Sequence, residues 1–246
     1  MNWHLRYRLS DRDLESLFCE RGLDVDHATI NRGVLAYAPE IEKRLRRLRQ
    51  LHCGSIRVDE TELKVRGQRR YLHRAVDKHG APVDFLLTAH RDLEAAKRFF
   101  RTSLKDMPLL SPGRIGTDGA GVYPAAIQTG VAEGFLPSAV THRVSRHLQQ
   151  VIESDHFLVK QMMPKVGGFR NFATARRTIA SFEAMLWLRK GLGFSGEWTV
   201  RRQTELLALC FGLQKLTKHE NRAFAGLYAS CVGGCDMPRP VAAPAN

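Results

Sequence analysis

No stretch of the 246-residue sequence is long and apolar enough to span a bilayer. The longest apolar run, LLALCFGL, falls well short of the roughly 20 residues that a membrane helix needs. The opening residues MNWHLRYRLS lack the apolar core of an export signal, so the cytoplasm, and the nucleoid within it, is the expected compartment. Cysteine is sparse: Cys19, Cys53, Cys210, Cys231 and Cys235 are odd in number and scattered, which argues for reduced thiols rather than a disulfide framework. Cys231 and Cys235 with His219 lack a suitably spaced fourth ligand for structural zinc. Acid is also in short supply, with 25 Asp plus Glu against 38 Lys plus Arg, a formal net charge of +13. Such an excess favours polyanionic partners, nucleic acid first among them. No amphipathic basic helix flanked by membrane anchors accompanies it. The 43% hydrophobic content suits one large domain with a small appendage.

Residues 1–50 carry a compact helical pattern. Ser10 with Asp13 forms a capping-box signature, Leu14, Leu17 and Phe18 supply an apolar stripe, and ERGLD supplies a stop and turn. Asp26 can cap a second helix in which Ile30 and Val34 face inward while Thr29, Asn31 and Arg32 face out. Two short helices joined by a Gly-containing turn fit a helix-turn-helix, whose second helix enters the major groove. A basic helix, EIEKRLRRLRQLH, follows as a connector, either a solvated face or a track for a phosphate backbone.

Beyond it the period changes to two. SIRVDETELKV, RRYLHRAVDKHG and APVDFLLTAH read as three antiparallel strands separated by turns. Asp92 caps a helix over LEAAKRFFRTSL. RIGTDGAGVY gives a short strand and a Gly-rich turn, a helix lies beyond Tyr123, SAVTHRV gives a fifth strand, and HLQQVIESDHFLVKQMM gives another helix. The order β-β-β-α-β-α-β-α is that of a ribonuclease H-like α/β fold, a five-stranded mixed sheet flanked by helices. GTDGAG looks like a phosphate loop but lacks the dinucleotide spacing and the Lys and Ser or Thr of a P-loop. Its glycines better serve to expose Asp118 at a strand end.

Asp59 and Glu60 interrupt an otherwise buried strand, and a carboxylate there needs a basic partner, solvent or a metal ion. With the first strand central, Asp118 beside it and a later helix across the sheet, Asp59, Asp118 and Glu153 converge. Like charges about 4 Å apart repel by about 4 kcal/mol at an effective dielectric near 20, so the set calls for a cation. Hard oxygen ligands select Mg²⁺ or Mn²⁺, and two such ions suit phosphodiester displacement. Lys160 lies about two helical turns beyond Glu153 on the same face, and Arg143 and Arg146 join it as candidate phosphate contacts. Glu60 and Glu62 project from the other side of the strand, and Asp155 from another side of the helix. His142 and His156 are candidates to touch DNA or support the acids. Taken singly, each acid is as well read as a surface residue or an arginine's partner.

The segments LRYRLSDRDLESLFCERGLDVDHATINR, YAPE, RVDETELKVRGQRRYLHRAVDKHGAPVDFLLTAHRD, TDGAGVYPAAI, HRVSRHLQQVIESDH and ARRTIASFEAMLWLRKG resemble the DDE transposases of bacterial insertion sequences, most closely those of family six. The resemblance runs from about Trp3 to about Gly191. It implies a ribonuclease H-like catalytic domain over residues 51–191 with Asp59, Asp118 and Glu153 as its acids and Lys160 as the following base. It also implies recognition of the terminal inverted repeats by residues 1–50, joining to target DNA through a replicative cointegrate, and a homodimer or higher assembly on DNA. Family members carry residues before Trp3 and commonly a Trp at the position of Gly33, so a shortened copy with a marginal N-terminal unit is expected; glycine alone costs a helix about 1 kcal/mol. Residues 192–246 are expected to form an apolar-faced helix, packed on the core or on a second subunit, and a disordered tail. A DNA-binding relic without catalysis and a ribonuclease H-like nuclease stay open as alternatives.

Overall fold

The structure, a computed structural model, describes residues 4, 6, 7, 9–46, 48, 54–105, 112–145, 150–162, 169–191 and 197–213. Arg146, the His219, Cys231 and Cys235 group and the C-terminal tail lie outside them. Cys19 and Cys210 are free thiols.

The first helix, α1 (Asp11–Cys19), starts at the capping box read from the sequence: Ser10 Oγ accepts from the Asp13 amide, and the Asp13 carboxylate accepts from the Ser10 amide. Gly22, at φ +72°, turns the chain toward α2 (His27–Arg46). Asp26 receives the Ala28 and Thr29 amides at the start of that helix. Sequence reasoning separated a recognition helix from a basic connecting helix, yet α2 runs unbroken through Pro39. A proline inside a helix costs about 3 kcal/mol or more. The offset is visible in its buried stripe, Ile30, Val34, Ala38, Ile41 and Leu45, which keeps helical spacing across the proline.

Three strands follow as a meander: β1 (Ser55–Val65), β2 (Gln68–Asp77) and β3 (Pro82–Thr88). The β1–β2 loop is the pair Arg66 and Gly67, both at positive φ (52° and 74°), the conformation that matches the twist of a two-residue hairpin. Then come α3 (Leu93–Lys105), β4 (Arg114–Thr117), α4 (Val122–Ala132), β5 (Thr141–Val144), α5 (Gln150–Met162), α6 (Phe172–Lys190) and α7 (Val200–Cys210). The sheet order is β3-β2-β1-β4-β5, antiparallel from β1 to β3 and parallel from β1 through β4 to β5. This mixed five-stranded sheet flanked by helices has the ribonuclease H-like order expected from the sequence.

Strand β1 is buried on both faces, because alternate residues feed different layers. Ile56 and Val58 pack with Phe99 and Phe100 of α3 and with Tyr123 and Ile127 of α4. Leu63 and Val65 pack with Val159 of α5 and Ala175 and Ile179 of α6. A further core joins Val34, Ile41 and Leu45 of α2 to Phe182, Met185 and Trp187 of α6 and to Leu206 and Leu207 of α7. The apolar face expected after residue 191 is therefore covered by this chain's own N-terminal helix.

Gly33 lies inside α2, and a Cβ added there meets nothing within 4 Å. Gly33→Ala should raise stability by about 1 kcal/mol. Urea denaturation reads this directly; a midpoint that stays put or falls would show that the glycine is needed in the native packing.

Candidate active site

Asp59 lies in mid-β1 on the face covered by α5 and α6, only 9% exposed. Its Oδ1 accepts the Glu60 amide at 2.8 Å, and its Oδ2 lies 3.5 Å from His156 Nδ1. Asp118 follows β4 directly and is half-buried; its Oδ1 accepts the Ala120 amide at 2.9 Å. Gly119 makes that turn possible. Its φ is +99°, a conformation that favours glycine, and a Cβ there would also push against the exposed Val144 Cγ1 at 2.8 Å. Glu153 is exposed in the first turn of α5, and Lys160 is exposed in the last.

Burial pushes the Asp59 carboxyl up to about 7, and the negative charges of Asp118, Glu60 and Glu153 push it the same way against the Glu60 amide. Among the described residues no three His, Cys, Asp or Glu side chains stand close enough together to hold a metal ion, so the expected convergence of Asp59, Asp118 and Glu153 is not present as a cluster. The donor set is oxygen only and suits a hard divalent cation. His156 does not compete as a cation: burial, with Arg74 and Lys160 nearby, lowers its imidazole to about 3.

The remaining acids separate as their position in strand and helix dictates. Glu60 turns to the opposite face of β1 and pairs with Arg91. Glu62 pairs with Arg69 at 3.3 Å. Asp155 is buried against Arg74 and Lys190. Arg74, Glu183 and Lys190 escaped sequence reasoning. Their signal was a charge inside an apolar pattern, Glu183 in ASFEAMLWL above all, because a fully buried carboxylate requires a partner.

Of the candidate DNA contacts, Arg143 on β5 and Lys160 are exposed. Thr29 and Arg32 are exposed on α2, where Arg32 Nη2 donates to Thr29 Oγ1 at 2.9 Å. Asn31 is half-buried, and its Nδ2 donates to Asp11 of α1 at 3.0 Å, a contact that ties the two helices together. The basic connector is partly occupied within the chain: Arg44 pairs with Glu40 and lies over the Phe211 ring, and Arg46 pairs with Glu42 and Asp84.

A family model described as a DDE domain matches residues 53–192. The transposase for insertion sequence-like element IS431mec of Staphylococcus aureus is 30% identical over 190 residues, covering 77% of this chain and 82% of the relative. The transposase for insertion sequence element IS257 in transposon Tn4003, from the same species, has the same identity and coverage. Among solved structures, the HTLV-2 integrase catalytic core domain in complex with magnesium superimposes with a TM-score of 0.41 at 17% identity, covering 61% of this chain and 94% of that chain. No helix of the described residues is long and apolar enough to cross a membrane. The DDE match spans the meander, the Gly119 turn and helix α5 in one stretch, and with relatives that align over most of both chains, this protein belongs to the DDE transposases of bacterial insertion sequences, in family six.

Proposed function

We propose that this transposase cleaves the ends of its element and joins them to target DNA, with Asp59, Asp118 and Glu153 as the acids that hold divalent metal. The observation that carries this reading is the DDE-domain match over residues 53–192, which takes in Asp59 buried on β1, Asp118 directly after the neighbouring strand β4, and Glu153 on α5. Mg²⁺, with Mn²⁺ as substitute, fits the oxygen donors. Two ions held there supply positive charge and Lewis acidity for phosphodiester exchange.

In the first step water attacks the end phosphodiester, the P–O3′ bond breaks, and the element strand keeps a 3′-hydroxyl. In the second, that hydroxyl oxygen attacks a target phosphorus, forms a new P–O bond and releases a target 3′-hydroxyl. Charge builds on the phosphoryl oxygens in both. The three acids fix where the reacting phosphate sits, and the Gly119 turn keeps Asp118 at the sheet's open end. Exposed Lys160 and Arg143 offer phosphate contacts. The α1–α2 pair offers exposed Thr29 and Arg32 for recognition of the terminal inverted repeats, with Asn31 bracing α2 against α1, in a homodimer or higher assembly on DNA.

The test is a strand-transfer assay on end-bearing duplexes with Mg²⁺ or Mn²⁺. Asp118→Asn and Glu153→Gln should each abolish joining with DNA binding nearly intact; near wild-type joining by either variant removes that residue from the site. Cutting without joining by the wild type would identify a nuclease instead. The phosphate contacts are tested separately: Arg143→Gln or Lys160→Gln should weaken binding to all sequences alike and reduce the salt slope of binding by about one. An unchanged slope across several salt concentrations would return either side chain to the solvated surface.

A further inference from the structure

The same face of the sheet holds a group of four charges that is mostly shut off from solvent. Arg74, on β2, is directly opposite Asp59 in the register of β1 and β2, so both side chains stand on the face under α5 and α6. Its guanidinium grips Glu183 of α6 through two nitrogens, Nε at 2.7 Å and Nη2 at 2.8 Å, and reaches Asp155 of α5 at 3.3 Å. Asp155 also receives Lys190 Nζ at 2.6 Å, and the same ammonium donates to the Gly80 carbonyl at 2.7 Å. Arg74, Asp155 and Glu183 are each at most 3% exposed. Burial works against the charge on Arg74, and the Glu183 and Asp155 carboxylates outweigh it, raising its pKa.

Stability is a poor reason to keep such a group. Apolar side chains of similar volume in place of a buried ion cluster are often neutral or stabilising, by about 1–4 kcal/mol. What ions provide and hydrocarbon does not is direction. A helix turns about 100° per residue, so pinning Asp155 sets the rotation of α5 and with it the positions of its neighbours. His156, the next residue, meets Asp59. Glu153 is one turn before His156 on the same side of α5, and its charge is among those that bear on Asp59.

We propose that Arg74, Asp155, Glu183 and Lys190 form a positioning cluster that fixes the rotation of α5 on the sheet and so holds Glu153 in reach of the metal bound by Asp59 and Asp118. This rests on the assignment of those acids as metal ligands. The four residues touch no reacting atom; they act through Glu153.

The decisive comparison is an apolar cluster, Arg74→Met with Asp155→Leu and Glu183→Leu, beside Lys190→Met and the conservative Lys190→Arg. Melting temperature, amide exchange over residues 150–162, Mn²⁺ affinity by calorimetry and binding to end-bearing DNA are measured on each. A positioning role is expected to leave the apolar variant folded and DNA-binding but with faster exchange in α5 and Mn²⁺ affinity down about 10–100-fold, the usual effect of losing outer support for a ligand. Lys190→Met should show the same change in smaller measure, and Lys190→Arg should restore it. A folded apolar variant with wild-type Mn²⁺ affinity and wild-type protection of α5 overturns the proposal. Should that variant fail to fold, Lys190→Met with unchanged affinity and exchange overturns it equally. Wild-type protein whose Mn²⁺ affinity is indifferent to Asp118→Asn defeats the ligand assignment itself, a separate result.

Discussion

Asp59→Asn is expected to abolish cleavage and joining and, in the metal-free protein at neutral pH, to raise the melting temperature. The two effects have one cause. The unfolded carboxyl titrates near 3.8, and the folded one is pushed up to about 7 by burial and by the charges of Asp118, Glu60 and Glu153. Below about pH 4 both states hold the proton, so the aspartate carries no penalty. Between about pH 4 and 7 the folded state retains a proton that the unfolded state has released, and the penalty grows with pH. Above about pH 7 both are charged and the penalty is complete, on the order of 4 kcal/mol at 1.36 kcal/mol per pH unit. The asparagine variant should therefore melt several degrees above wild type at pH 8 and level with it near pH 4. Added Mn²⁺ should stabilise wild type and not the variant, narrowing the gap at pH 8. Thermal melts over this pH range, with and without Mn²⁺, decide the matter; a variant that melts no higher than wild type at pH 8 would mean that Asp59 sits in a solvated or compensated place.

Trp187→Ala should produce the largest loss of stability at one side chain. Trp187 is 2% exposed in α6 and belongs to the core that gathers α2, α6 and α7. Truncating a buried tryptophan costs about 3–5 kcal/mol, since both transfer energy and packing are forfeited. The damage should spread to α2, whose Val34, Ile41 and Leu45 lie in the same core, and so loosen Thr29 and Arg32, which α2 presents to DNA in the proposed reading. Amide exchange should quicken over residues 27–46 as well as 172–190, and preference for end-bearing over scrambled duplex should fall. A loss of under about 1 kcal/mol, or exchange that quickens in α6 alone, would show that the helices do not depend on one another.

Strand order was legible in the sequence because alternation, hairpin glycines and capping aspartates are local signals, each readable within about ten residues. Asp59 and Asp118 were legible for the same reason, one as a carboxylate in a buried strand and one as a carboxylate before a glycine turn, and the structure puts them in those places. Glu153 needed the crossing of α5 over the sheet. Other features depend on partners that local patterns do not name. The sequence separates a second helix from a basic connector at YAPEIEKR, and only the cover given by α6 shows why α2 continues through Pro39. Glu183 in an apolar helix announces an ion pair, but nothing near it in sequence points to Arg74 on β2. Asn31 reads as an outward residue of a recognition helix, whereas α1 offers it Asp11.

The joining of α2 to α6 and α7 also sets a timetable for synthesis. The β1–β2–β3 meander pairs neighbours in sequence and can form as soon as it leaves the ribosome, because short loops close at small entropic cost. Helix α2 emerges earlier still, yet the residues that cover Val34, Ile41 and Leu45 belong to α6 and α7. At about 5–20 residues per second, on the order of ten seconds separates the two. Throughout that interval the nascent chain displays an apolar stripe beside an arginine-rich surface, a stretch that a chain terminated before α6 would leave without its α6 and α7 cover.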